Sequence, residues 1–117
     1  MRYVRVINRT TGQTLAERAP VADNMWTRFR GLQLRSGLPR GEGLVILPCE
    51  SIHMFFMRFP IDAVFATREG QVVRVGRRCR PWTVGPFAPR ALYCVELPAG
   101  AAADTSEGHI IQLERPP

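Results

Sequence analysis

The stretch Ile61-Asp-Ala-Val-Phe-Ala-Thr67, Arg68-Glu-Gly70, Gln71-Val-Val-Arg-Val75 decides the fold class. Two runs rich in β-branched and aromatic residues are joined by three residues that include a glycine, the pattern of an antiparallel hairpin. The runs on either side repeat the theme. Leu44–Leu47 is short, continuously apolar and closed by Pro48; Ser51–Met57 carries Ile52, Met54, Phe55 and Phe56; Pro60 separates it from the hairpin. Beyond, Ala91–Leu97 and His109–Leu113 read as strands, with a turn or single helical turn over Ala101–Asp104 between them. At the N-terminus Tyr3–Ile7, a turn at Asn8–Gln13 and Thr14–Arg18 predict a second hairpin within residues 2–18, ended by Pro20.

One segment breaks the β pattern. Asp23 is placed to cap a helix running to about Arg35, with Met25, Trp26, Phe29 and Leu32 along one apolar face and Ser36-Gly37 at its end. Gly31 inside that helix costs about 1 kcal/mol relative to Ala, which predicts a neighbouring strand packed close against it. Gly76–Arg90, with three prolines and four arginines, reads as a long irregular loop. The expected architecture is mainly β: a compact antiparallel β-sandwich or partly closed barrel of about seven or eight short strands. One main α-helix near residues 23–35 accompanies it, in a single domain over residues 1–117.

The chain has 117 residues, 45% of them apolar, and a formal net charge of +6. No run approaches the roughly 18–20 apolar residues of a membrane span. The first eight residues alternate charged with β-branched side chains instead of forming a signal peptide's apolar stretch, so the expectation is a soluble, cytoplasmic protein. All 16 basic residues are arginine. With Ala, Gly and Pro also abundant, arginine stands where lysine otherwise would, and net charge speaks to solubility and non-specific association more than to a defined partner. Nucleic acid is a candidate partner that the sequence does not favour.

Three cysteines without a C-x-x-C pair make neither a disulfide framework nor a zinc knuckle. Cys94 lies in an apolar run and reads as a small buried hydrophobe; Cys79, among Arg77, Arg78 and Arg80, is the one whose sequence neighbours favour a thiolate. No phosphate loop, dinucleotide fingerprint, serine elbow or H-E-x-x-H pattern is present, so no cofactor and no metal site are expected. One constellation survives. His53 and Asp62 lie on strands expected to be neighbours, and Glu96 lies late in Ala91–Leu97; convergence of the three would give a general acid–base cluster, a ligand pocket or a satisfied polar core cluster. With both faces of Ser51–Met57 apolar, His53 is expected to be partly enclosed. Asp62 could also anchor a strand entry through backbone N–H groups or pair with an arginine. Two arginine groups, at Arg28, Arg30, Arg35 and Arg40 and at Arg74, Arg77, Arg78 and Arg80, have Trp82 and Phe87 beside the second, a pattern that suits base stacking or cation–π cover of a loop.

Four ordered blocks carry a resemblance. Arg28-Phe-Arg-Gly-Leu-Gln-Leu-Arg35, Gly41-Glu-Gly-Leu44, His53-Met-Phe-Phe-Met-Arg-Phe-Pro-Ile-Asp-Ala-Val-Phe65 and Val95-Glu-Leu-Pro-Ala-Gly100 are similar to the "domain of unknown function 192" family, over about residues 21–113. The resemblance implies a compact, mainly β fold with a short helix and no established activity, cofactor or catalytic set. Asp62 and Glu96 match positions usually acidic in the family, whereas Phe59 replaces the family's common Asn and removes a polar side chain there. The sequence therefore reads as a non-enzymatic binding or accessory module for an unknown small-molecule or protein partner, with ligand contacts expected from Arg28, Arg35, His53, Asp62 and Trp82. The alternatives are a hydrolase using His53 with Asp62 or Glu96, and a polyanion binder using the arginine groups.

Overall fold

A computed structural model describes residues 2–33 and 35–116. Among them are nine strands, β1 (Tyr3–Asn8), β2 (Thr14–Ala22), β3 (Leu44–Ile46), β4 (Ser51–His53), β5 (Ile61–Ala66), β6 (Val72–Cys79), β7 (Val84–Phe87), β8 (Tyr93–Pro98) and β9 (Ile111–Glu114), and one helix, α1 (Met25–Arg30). Seven strands form one sheet in the order β6-β5-β8-β3-β2-β1-β9, while β4 and β7 pair apart from it. All pairings are antiparallel except that of β2 with β3. The sheet curls until its ends approach. A bridge joins Gln71 to Ile110, and Ile111 N–H donates to the Gly70 carbonyl at 2.8 Å while Val72 N–H donates to the His109 carbonyl at 2.8 Å. Mainly β and partly closed, the architecture matches the expectation, with one strand more than foreseen.

Alternation along β5 and β8 divides the apolar side chains between two cores. Val64, Ala66, Tyr93, Val95 and Leu97 face the inside of the curl with Val6, Val21, Val45, Val72 and Ile111. Ile61, Ala63, Phe65 and Cys94 face outward into a second layer with Ile46, Ile52, Met54, Met57 and Leu32. The β4–β7 pair and the turn after α1 cover that second face.

Several local expectations are corrected. Pro20 does not end the first hairpin: it lies in β2 opposite Tyr3, where the strand continues to Ala22. The run Ser51–Met57 stays extended only through His53, and Phe56 turns into the left-handed region at φ 65°. Gly76–Arg90 is not an irregular loop: β6 continues to Cys79, and β7 returns to pair with β4. The helix is six residues long, not the span 23–35. Its cap is Asn24, whose side chain accepts from Thr27 N–H at 2.9 Å, and it stops at Gly31, where φ is +49°. A Cβ added at Gly31 would meet nothing closer than the Arg28 carbonyl at 3.8 Å, so that glycine answers to backbone conformation and not to a tight neighbour. The helical face expected to be buried is exposed: Met25, Trp26 and Phe29 are 80%, 68% and 64% accessible, and only Leu32, beyond the helix end, is buried.

Closure of the curl rests on Gly70. Its φ is +90°, and an added Cβ would lie 2.2 Å from the Ile111 carbonyl oxygen, inside any permitted contact and in a backbone region that costs a non-glycine residue about 1–3 kcal/mol. Gly70→Ala is expected to lower stability by at least about 2 kcal/mol in urea denaturation. It should also speed hydrogen exchange at the Ile111 amide. Unchanged stability and exchange would show that the β6–β9 seam is not held there.

Candidate functional site

Of the three acid–base candidates, His53 and Glu96 line one cleft and Asp62 lies apart from it. Asp62 pairs with Leu97, on the inner face; Glu96 pairs with Ala63, on the outer face; the two carboxyls therefore lie on opposite sides of the sheet. His53 belongs to the separate β4–β7 pair, opposite Val84, and is exposed instead of enclosed. Its ring stacks near Phe55, centroids 5.3 Å apart, and makes no hydrogen bond to either acid among the described residues. The enclosed-histidine expectation failed because β4 lies over the sheet as its own layer, with Ile52 turned down into it and Ser51 and His53 left exposed.

Asp62 is a brace. Its carboxylate, 1% exposed, accepts from Arg78 N–H at 2.9 Å, Gly100 N–H at 3.0 Å and Ala102 N–H at 2.9 Å. These donors come from the end of β6 and from the turn after β8, so one side chain ties three parts of the chain together. The anchoring alternative read from the sequence has the right chemistry, and its donors are distant in sequence.

Glu96 is different. It is 5% exposed and faces the second layer, and no hydrogen bond from a described residue reaches its carboxyl. Burial first, then the neighbouring Cys49, pushes its pKa up from 4.5 to about 8. The carboxyl is thus largely protonated at neutral pH. It forms part of the wall of an open cleft of about 410 Å³ between α1 with its following turn and the β3–β4 connection. Phe29, Leu32, Ile46 and Ile52 supply apolar wall; Arg28, Cys49 and His53 supply polar groups.

Of the expected ligand contacts, Arg28 and His53 reach this cleft. Arg35 lies outside its lining and sits 3.9 Å from Glu42; Asp62 faces the other side of the sheet. Trp82 is exposed on the β4–β7 layer, with φ 64° and its ring beside Phe56 and Phe55 at 5.0 and 6.5 Å, so aromatic meets aromatic there, where the sequence suggested arginine cover. Two arginines of the second group serve structure instead: Arg77 donates to the Ala102 and Thr105 carbonyls, and Arg74 donates to the Phe87 carbonyl at 3.2 Å.

The cysteines also change places. Burial, then Asp62 and Glu96, pushes the Cys79 thiol up despite its arginine neighbours in sequence. Cys49, which sequence reasoning passed over, has its pKa lowered, first by the neighbouring Cys94 thiol and, more weakly, by Arg28. The signal for Cys49 was absent from its own neighbourhood, because Arg28 and Cys94 are brought to it by the fold.

Comparison with known proteins adds the relationships. The model of the DUF192 family, described as "Uncharacterized ACR, COG1430", matches residues 6–113. A UPF0127 protein of Thermococcus sibiricus is 40% identical over 103 residues, 81% of this chain, and the match spans 64% of that protein's length. A UPF0127 protein of Thermococcus gammatolerans is 34% identical over 116 residues, 93% of this chain and 74% of its own. Among solved structures, a protein of unknown function from Novosphingobium aromaticivorans superposes with a TM-score of 0.78 at 22% identity, covering 94% of this chain and 83% of that one. That likeness concerns the fold.

Two predictions follow from the opposed carboxyls. Asp62→Ala leaves three backbone donors unpaired and is expected to cost on the order of 3–5 kcal/mol in urea denaturation; a loss under 1 kcal/mol would remove its bracing role. For Glu96, a pKa raised on folding means that the native state holds a proton the unfolded chain releases above about 4.5. Its contribution is therefore intact below pH 4.5 and falls away as pH rises to about 8. Glu96→Gln escapes that loss. Relative to the parent, its stability is expected to improve by on the order of 3–4 kcal/mol between pH 5 and pH 9. A difference that stays constant across that range would contradict the raised carboxyl.

Proposed function

Because the chain belongs to the DUF192 family, whose description assigns no activity, we propose from its own geometry that it is a non-enzymatic small-molecule binding module with its ligand seated in the α1–β4 cleft. The observation that carries this reading is Glu96, a residue only 5% exposed that nonetheless contributes to the wall of a cleft of about 410 Å³. A cleft of this size lies within the range of small-ligand sites, and a carboxyl in its wall offers a ligand both a donor and acceptors when protonated. Asp62 lies on the other face of the sheet, and His53 and Glu96, though both line the cleft, make no hydrogen bond to one another among the described residues, which supports binding over hydrolysis.

The chemistry of the walls narrows the ligand. A protonated carboxyl both donates and accepts, so the inner end of the ligand is an amide-like edge offering the complementary pair. Arg28 at the wall suits an anionic group at the other end, and Phe29 and the aliphatic side chains suit a flat ring between them. Nucleoside monophosphates combine those three features and serve as probes. In a thermal-shift titration, one of the four common ribonucleoside monophosphates at 100 times its dissociation constant is expected to add about 2.7 kcal/mol of stability. The shift should be lost in Glu96→Leu and reduced in Arg28→Gln. A panel that leaves the melting temperature unmoved, or a shift that persists in Glu96→Leu, defeats the reading.

A further inference from the structure

We propose that Cys49 and Cys94 are a reversible dithiol–disulfide pair, Cys49 attacking a low-molecular-weight disulfide that enters the cleft and Cys94 resolving the adduct. The two residues come from separate parts of the sequence and meet because β3 and β8 pair. Ile46, at the end of β3, lies opposite Cys94. The chain then leaves the sheet through Leu47 and Pro48, and the Cys49 N–H donates to the Leu92 carbonyl at 2.8 Å. That bond seats Cys49 beside the start of β8. Both thiols are free and pack in the same outer layer; the Cys49 thiol donates to the Ser51 carbonyl at 3.1 Å, and each sulfur shifts the other's titration.

Their environments assign the roles. Cys49 is half-buried and lines the cleft, so a reagent can reach it. Cys94 is wholly buried behind it and can be reached by little except Cys49. Arg28 on the cleft wall favours a thiolate at Cys49 and attracts reagents bearing carboxylates, while Glu50 opposes it and burial holds Cys94 as a thiol. The arrangement is that of an attacking and a resolving sulfur. Cys79 stands apart at the end of β6, separated from β8 by β5, and is not part of the cleft wall.

With oxidised glutathione as the oxidant, the Cys49 thiolate attacks one sulfur, forming a protein–glutathione disulfide and releasing one glutathione thiolate. Cys94 then gives up its proton and attacks the Cys49 sulfur. The second glutathione leaves as a thiolate, and each departing thiolate takes up one of the protein's two thiol protons. Two protein thiols and one glutathione disulfide thus become one protein disulfide and two glutathiones. For the bond to form, the two sulfurs must close to about 2.05 Å. The freedom to do so lies in the connection between β3 and β4, since Cys94 is fixed in a central strand. This chemistry is independent of whether the cleft also binds a ligand through Glu96.

The test is mass spectrometry of the reduced, folded protein after incubation with oxidised glutathione, followed by peptide mapping without reductant. The parent and Cys79→Ser are expected to lose two hydrogens, retain no glutathione and link the peptide containing Cys49 to that containing Cys94. Cys94→Ala, shown to be folded by its melting curve, is expected to stop at one retained glutathione on Cys49, and Cys49→Ser to remain unmodified at Cys94. A parent that stays unmodified, that retains glutathione on Cys49 as Cys94→Ala does, or that links Cys79 to either partner overturns the proposal. Should Cys94→Ala not fold, the linkage mapped in the parent and in Cys79→Ser decides the matter.

Discussion

Everything else in this molecule depends on β5 and β8 being buried on both faces. A strand with one wet face can place a charged residue in water, but Ile61–Ala66 and Tyr93–Leu97 have nowhere to do so. Each acid they carry therefore faces a steep choice: it must be satisfied by protein donors or give up its charge. Asp62 takes the first course, by gathering three N–H groups into the end of the curl. Glu96 takes the second, one pair of register positions away and on the opposite face. Two side chains of nearly the same chemistry become a structural brace and a neutral carboxyl beside open space.

The same double burial explains what could be read from the sequence. Continuous apolar runs identify buried strands, and the hairpin through Arg68-Glu69-Gly70 was plain from its turn. Such runs do not reveal which neighbour lies on which face, because both faces are apolar. Placing Asp62 and Glu96 on opposite faces requires the β5–β8 register, which pairs residues some thirty positions apart and leaves no local mark. The β4–β7 pair was missed for a related reason. Pro81, Pro86 and Pro89 suggested a loop, yet Pro86 sits inside a short strand of a two-stranded pair, where a missing N–H is tolerated.

Helix α1 shows the limit of periodicity. Met25, Trp26 and Phe29 have the spacing of a buried stripe, but Gly31 turns the chain after six residues, before a second turn could press that stripe onto the sheet. Leu32 takes the buried position instead. The aromatic side chains remain at the surface, with Phe29 forming cleft wall. The sequence located the helix and its arginine; the turn that set their direction was visible only as a glycine, and the close-packing explanation given for that glycine was wrong.

Charge gives the last step. Sixteen arginines in 117 residues invite a polyanion, but the guanidinium forks of Arg74 and Arg77 are occupied by backbone carbonyls, Arg5 pairs with Glu114, and Arg18 lies over the Tyr3 ring at 4.1 Å. A side chain already ordered on its own fold must break those contacts before it can hold a phosphate, which removes much of the gain from neutralising one. Arg28 is in another position. It stands on the cleft wall beside Cys49, on the same side of the sheet as Glu96, where water is partly excluded and a single charge acts more strongly than it would on an open face. On the binding reading proposed above, selectivity would follow from the few polar groups gathered around the cleft, and the size of the net charge would be a poor guide to where recognition takes place.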